Sequence, residues 1–226
     1  RARVRDRQEL FTGACRIAVQ EGGFRMSWIG MVDCSGKKIA LVASAGVDEH
    51  LIKTIEMGLA MSDIVSPDES VAARVVGSKE AVVFNDLQHS AKLGFGEKHA
   101  AAGIRSIAML PLLIADAVVG VFALCTDEPE FFHAEELRLM TELAGDVAFG
   151  IDHIAKQERL DYLAYYDVLT GLAGRSLFLE RVAQHMRSSA GEGTKLGLFL
   201  IDVERFKNIN DSLGQLAGDA LLRQIA

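Results

Sequence analysis

The sequence predicts an α+β chain of two parts, and three observations carry that prediction. Apolar, β-rich runs come two by two, each pair joined by a short turn; helical periodicity fills the text between the pairs; and a long helical stretch then leads into a differently patterned region. Length agrees, since 226 residues exceed one ordinary domain of roughly 100 to 200 residues and suit one domain plus part of a second. Hydrophobic residues make up 50% and charged residues 24% of the chain, with only 3 prolines. Disorder needs the opposite balance, so a core can form.

The first element is a helix over residues 8–20, where Leu10, Phe11, Ala14, Cys15, Ile17 and Ala18 recur at three- and four-residue spacings and Gly22 and Gly23 stop it. "FRMSWIGMVD" and "KIALVASAG" follow as a hairpin around Asp33, Cys34, Ser35 and Gly36. Helical text at 50–57, a polar loop and a short helix at 69–76 lead to "AVVF", a further strand, and then to a helix near 97–102. "IRSIAMLPLLIAD" and "AVVGVFALCTD" form a second hairpin turning near Ala115 and Asp116, with Pro111 at an edge or bulge.

From Ala134 to about Ala164 the text is helical. Leu137, Met140, Ala144, Val147, Ile151 and Ile154 alternate spacings of three and four, the a/d pattern of a coiled-coil seam. A seam on a helix leaving its domain is expected to lack a core of its own, which predicts a homodimer with Leu137, Met140, Val147, Ile151 and Ile154 in the interface. The apolar phase slips near Glu158 and Asp161, marking a joint. Beyond it "RSLFLERVAQHMRSS" reads as an amphipathic helix, "GEGT" as a loop, and "KLGLFLIDV" as a strand buried on both faces.

Charge and cysteine content exclude several classes. A formal net charge of -7 argues against binding nucleic acid or an anionic membrane, which needs a basic stripe. Arg1, Arg3, Arg5 and Arg7 read as the solvated face of a helix. Three scattered cysteines, without a CxxC pair, suggest neither a disulfide framework nor zinc; Cys15 and Cys125 read as core residues and Cys34 as a turn residue. With no apolar stretch of about 18 to 20 residues and no signal-peptide pattern, the expected compartment is the cytoplasm, without membrane contact. Both ends fall in helical text, so the chain reads as a piece of something longer.

Residues 8–155, through "CRIAVQEGGFRMSWIGMVD" and "VASAG", resemble the GAF family of sensory domains. The resemblance implies an antiparallel sheet flanked by helices that either holds a small molecule or serves in dimerisation. The cyclic-nucleotide-binding pattern of that family is not reproduced by "NDLQHSAKLGFGEKHAA", and the ligand stays unknown. His89 or His99 as a haem ligand is weighed against a loop histidine bonded to water, and the latter is preferred. Trp28 as a ligand-stacking platform is weighed against a core tryptophan, and the core is preferred. Scattered histidines and cysteines make any GAF ligand a small organic molecule rather than a metal.

"LAYYDVLTGLAGRSLF" followed by "LFLIDVERFKNINDSLGQLAGDALL" resembles the opening half of a GGDEF domain, the palm-like α/β fold of diguanylate cyclases. The resemblance implies Mg²⁺ held by the Asp202 carboxylate and the Val203 carbonyl, phosphates met at Phe206 and Lys207, and guanine read by Asn210 and Asp219. GTP or cyclic-di-GMP is then the partner of the parent protein. Glu204, Gln215 and Ala173-Gly174 depart from the usual pattern and put activity in doubt, and the GGDEF loop itself would fall after Ala226, so no catalytic residue set is complete here.

The expected organisation is therefore a GAF domain over 1–150, a connecting signalling helix over 134–166 and a truncated GGDEF segment over 167–226. The expected function is the sensory and regulatory part of a bacterial cyclic-di-GMP signalling protein, a cyclase or a composite with a downstream EAL phosphodiesterase. The alternative is a stand-alone ligand-binding or dimerisation module with no catalytic role.

Overall fold

The computed structural model describes residues 2–33, 35–36, 38–46, 49–61, 70–87, 96–189 and 195–226. The chain divides into two compact units, Arg1–Ala155 and Lys156–Ala226.

The first unit begins with α1 (Ala2–Gln20), then the hairpin β1 (Met26–Val32) and β2 (Ile39–Gly46). It continues with α2 (Glu49–Met61), α3 (Val71–Ser78), β3 (Val82–Phe84) and α4 (Gly96–Ala101). The second hairpin, β4 (Ser106–Ile114) and β5 (Ala117–Thr126), precedes the long helix α5 (Ala134–Tyr165). The strands make one antiparallel sheet in the order β2-β1-β5-β4-β3. Both expected hairpins form. The second turns through Ala115 and Asp116, each at positive φ (46° and 66°), the backbone of a tight primed turn. Pro111 lies in β4 past the three residues paired to β3, so that side of the strand is an edge and its missing N–H costs no ladder bond.

Alternation along the strands sends side chains to two covered faces. Ile29, Leu110, Leu112, Phe122 and Leu124 pack on one face with Phe11, Cys15 and Ala18 of α1 and Ala144, Val147, Ala148 and Ile151 of α5. Met26, Trp28, Ile107, Met109, Ala123 and Cys125 pack on the other with Leu51, Ile55 and Leu59 of α2 and Val71, Ala72 and Val75 of α3. Polar groups tie the layers together: the Ser27 hydroxyl donates to the Cys15 carbonyl at 2.9 Å. The Asn85 amide donates to the Phe132 carbonyl and accepts its N–H, both at 3.0 Å, fixing the approach to α5. At Gly120 a Cβ would meet the Gly30 carbonyl at 2.6 Å, so only glycine lets β5 approach β1 this closely.

The seam expected on α5 has a different partner from the one predicted. Val147 and Ile151 are buried in the core of their own unit, and Leu137 and Met140 pack against that core; Ile154 is half-buried. A three-four apolar stripe identifies a face to be covered, and here the sheet covers it. The helix also runs unbroken through the expected joint near Glu158, since a shift of apolar phase leaves the backbone hydrogen bonds intact.

The second unit holds the end of α5, then α6 (Arg175–Ser189), α7 (Phe206–Leu213) and α8 (Gln215–Ile225). The expected loop at 191–194 lies outside the described residues. The expected strand over "KLGLFLIDV" is absent: residues 195–203 have no regular structure, and Leu198, Phe199, Leu200 and Ile201 are exposed. A strand takes its hydrogen bonds from neighbours rather than from itself, and among the described residues none pairs with this run.

Candidate nucleotide and ligand sites

The second unit opens with a turn built by its own side chains. The Asp167 carboxylate accepts hydrogen bonds from the Thr170 hydroxyl (2.7 Å) and the Thr170 N–H (2.9 Å). The hydroxyl first, then the amide, hold that carboxyl below the usual range, because both bond the ionised form. The Asp167 N–H donates to Leu172 O and the Gly174 N–H to Tyr165 O, closing a small loop whose Gly171 sits at φ 72°. "DVLTGL" is thus a self-locked turn, and the Asp-x-x-Thr spacing is its local signal in the sequence.

The exposed run ends at Asp202, itself exposed, and at half-buried Val203. The Val203 carbonyl accepts the Phe206 N–H at 3.4 Å across a turn in which Arg205 adopts φ 56°. This turn launches α7. A carbonyl has two lone pairs, so the oxygen keeps one for a cation.

Phe206 and Asn210 stand four apart on α7 and share a face. Both lie over Gly218 of α8: a Cβ there would strike the Asn210 Oδ1 and come within 3.1 Å of the Phe206 ring. Gly214, at φ 85° and ψ 159°, ends α7 and starts α8, a conformation essentially confined to glycine. The two glycines bring Asn210 beside Gly218, and half-buried Asp219 is the next residue along. The Asn210 Oδ1 is buried without a hydrogen-bond partner. Lys207 is exposed. The structure therefore gathers Phe206, Asn210 and the Gly218-Asp219 step, and sets Asp202 and Val203 on the chain entering them.

The first unit offers another orphaned polar atom. Trp28 is 2% exposed in the layer between the sheet and α2–α3, and its Nε1 has no hydrogen-bond partner. The core reading of Trp28 is the one observed. Such an N–H ordinarily finds an acceptor when buried. His99 is buried on α4, which corrects the water-bonded loop histidine expected for it: α4 turns it inward. His89 and Cys34 lie outside the described residues. Burial pushes the Cys15 thiol up to about 11 and raises that of Cys125 further, so both are inert core groups. Among the described residues no group of three or more His, Cys, Asp and Glu could hold a metal ion.

Comparison with known proteins agrees with this division. Over 67 residues the chain is 42% identical to the cyclic di-GMP phosphodiesterase NbdA of Pseudomonas aeruginosa, covering 30% of this chain and 9% of that protein. Over another 67-residue match it is 40% identical to the diguanylate cyclase TpbB of the same species, covering 30% of this chain and 15% of the relative. The chain spans about a fifth or less of the length of the curated relatives it matches. Among solved structures, the GAF domain region of a Geobacter sulfurreducens protein superposes with a TM-score of 0.56 at 21% identity, over 67% of this chain and 96% of that one. No helix among the described residues is long and apolar enough to cross a membrane. The GAF domain model matches residues 4–152 and the diguanylate cyclase GGDEF domain model residues 164–226, so the chain belongs to the GAF family and carries a GGDEF segment after its GAF domain.

Proposed function

We propose that this chain is the sensory and regulatory part of a bacterial cyclic-di-GMP signalling protein, in which the GAF domain governs a GGDEF output through α5. The observation that carries the reading is the α7–α8 corner. Asn210, freed of any partner at Oδ1, and Asp219 supply the amide and carboxylate that suit the donor edge of guanine. Lys207 adds a cation for phosphates on the exposed side of α7.

Asp202 and the Val203 carbonyl are hard oxygen donors four and three positions ahead of α7, a pair that fits part of an octahedral Mg²⁺ shell. Bound there, Mg²⁺ would neutralise nucleotide phosphate charge. The chain's own residues orient the nucleotide: Asn210 and Asp219 select the base, and Lys207 holds the phosphate.

Calorimetry on the parent-length protein tests the reading. GTP binding should need Mg²⁺, Asp202→Asn should weaken it, and Asp219→Ala should reduce the preference for GTP over ATP. Absence of GTP binding would refute the output reading and leave a regulatory or dimerisation module. Unchanged guanine preference in Asp219→Ala would refute the role given to that carboxylate.

A further inference from the structure

β3 is the outermost strand of the sheet, and among the described residues no strand pairs with its outer side. On the inner side Val82 and Val83 pair with Met109 and Ala108 of β4. A groove of about 590 Å³ opens between this strand and α3, lined by Arg74, Gly77, Glu80, Ala81, Val82 and Val83 among others. Ala81 and Val83 pack toward the layer of α1 and α5, whereas Val82 packs toward the layer of α2 and α3. Successive side chains of a strand leave by opposite faces, so residues of both faces can line one groove only where it wraps the strand's rim. The groove therefore follows the unpaired main chain of β3.

The corner that holds the groove open is fixed by its own contacts. Lys79 caps α3 at φ 59°, its N–H donating to the Val75 carbonyl at 3.0 Å. Its ammonium pairs with the Asp116 carboxylate at 2.8 Å, tying the end of α3 to the turn between β4 and β5. The Glu80 N–H donates to the Ser78 hydroxyl at 3.3 Å, which sets the approach to β3. With Lys79 engaged at Asp116, the charges left in the lining are Arg74 on α3 and Glu80 ahead of β3. Both are exposed, and neither head group is hydrogen-bonded or ion-paired among the described residues.

We propose that this rim is a strand-addition site for a short extended peptide of a partner protein, with an acidic side chain toward Arg74 and a basic one toward Glu80. The peptide's main chain takes up the unpaired groups of β3, and its alternate side chains enter the groove beside α3. At about 3.4 Å per residue the three residues of β3 span about 10 Å, which suits three or four peptide residues between the two charges. A purely apolar strand would desolvate Arg74 and Glu80 without pairing them, so a charged peptide is favoured over a hydrophobic one. The two opposite charges also set the direction in which the peptide lies. The site stands whether or not the output domain binds nucleotide.

Titration of the isotope-labelled full chain, followed by amide resonances, tests it with two blocked probes, acetyl-Glu-Val-Thr-Val-Lys-amide and acetyl-Lys-Val-Thr-Val-Glu-amide. One should bind about fivefold more tightly than the other, with the shifts centred on residues 74–84. Arg74→Glu combined with Glu80→Lys should invert that preference, an outcome that a merely structural role for either residue would not produce. A Cβ at Gly77 meets nothing within 4 Å, and leucine is a better helix former than glycine. Gly77→Leu should therefore fill the groove, keep the fold and weaken the preferred probe about tenfold or more. N-methylation of alternate probe amides should abolish binding, because it removes the ladder donors. Failure of both probes, shifts centred elsewhere, a preference that the charge exchange leaves in place, or binding undiminished in Gly77→Leu would each overturn the proposal. So would concentration-dependent shifts of the same amides without a probe, which would assign the rim to a second copy.

Discussion

Two apolar runs of this chain, β5 and residues 196–201, meet opposite fates. From Val121 to Cys125 every residue of β5 is fully buried, between neighbours β1 and β4. Leu198, Phe199, Leu200 and Ile201 form an equally apolar run that stands exposed, Leu200 at 98%. The difference is hydrogen bonding. A sheet strand needs backbone partners on its flanks before its side chains can be layered into a core, and β5 has two while the run at 196–201 has none among the described residues.

The largest way to sharpen that contrast is a charge in the buried run. Phe122 is 0% exposed in the layer shared with α1 and α5. Phe122→Asp should cost the first unit about 4 kcal/mol or more, through a lost aromatic and a buried unpaired carboxylate. Chemical denaturation followed by the fluorescence of Trp28, the single tryptophan of the chain, measures it. A loss below about 1 kcal/mol would contradict the burial described.

Smaller, and pH-dependent, is the effect of the two buried thiols. Burial raises both folded-state pKa values, Cys15 to about 11. The folded state keeps these protons where the unfolded chain releases them, so their stabilisation is complete below about pH 9 and is lost as pH rises from there through 11 and above. Stability measured from pH 8 to 11 should fall, and Cys15→Ala should flatten part of that slope. At pH 8 neither thiol should react with a chromogenic disulfide reagent until the first unit unfolds.

What the sequence made legible follows the same division. Both hairpins, the two helices on either side of them and α5 were readable because period, turn residues and strand composition are local signals. The partner of the Val147–Ile151 stripe was not readable, because periodicity marks a face to be covered and says nothing of what covers it. At the candidate nucleotide site the residue types were legible from motif order, while the contact of Asn210 with Gly218 needed three dimensions.

That contact yields a prediction of intermediate size. Gly218→Ala places a methyl on the Asn210 Oδ1 and against the Phe206 ring, and should cost the α7–α8 corner about 1–3 kcal/mol by overpacking. Faster hydrogen exchange confined to residues 206–226, with the first unit unchanged, is the expected signature. Exchange unaltered in both helices would mean that the corner accommodates a Cβ and that Gly218 is not needed for close approach.

The smallest effect belongs to the exposed run and completes the contrast with Phe122. Leu200→Asp exchanges a side chain that water already reaches, so folding removes almost none of its surface and little transfer free energy is lost. Within this chain the stability change should stay within about 0.5 kcal/mol, an order of magnitude below that of Phe122→Asp. The same substitution in a chain that supplies flanking strands should cost several kcal/mol, because pairing would then draw Leu200 into a layer and the carboxylate with it. Measuring both separates two origins of exposure. A small effect in each setting would mean that the run is a surface segment by nature. A small effect here and a large one there would identify it as a strand that lacks only its hydrogen-bonding neighbours, and would place Asp202 at the end of that strand.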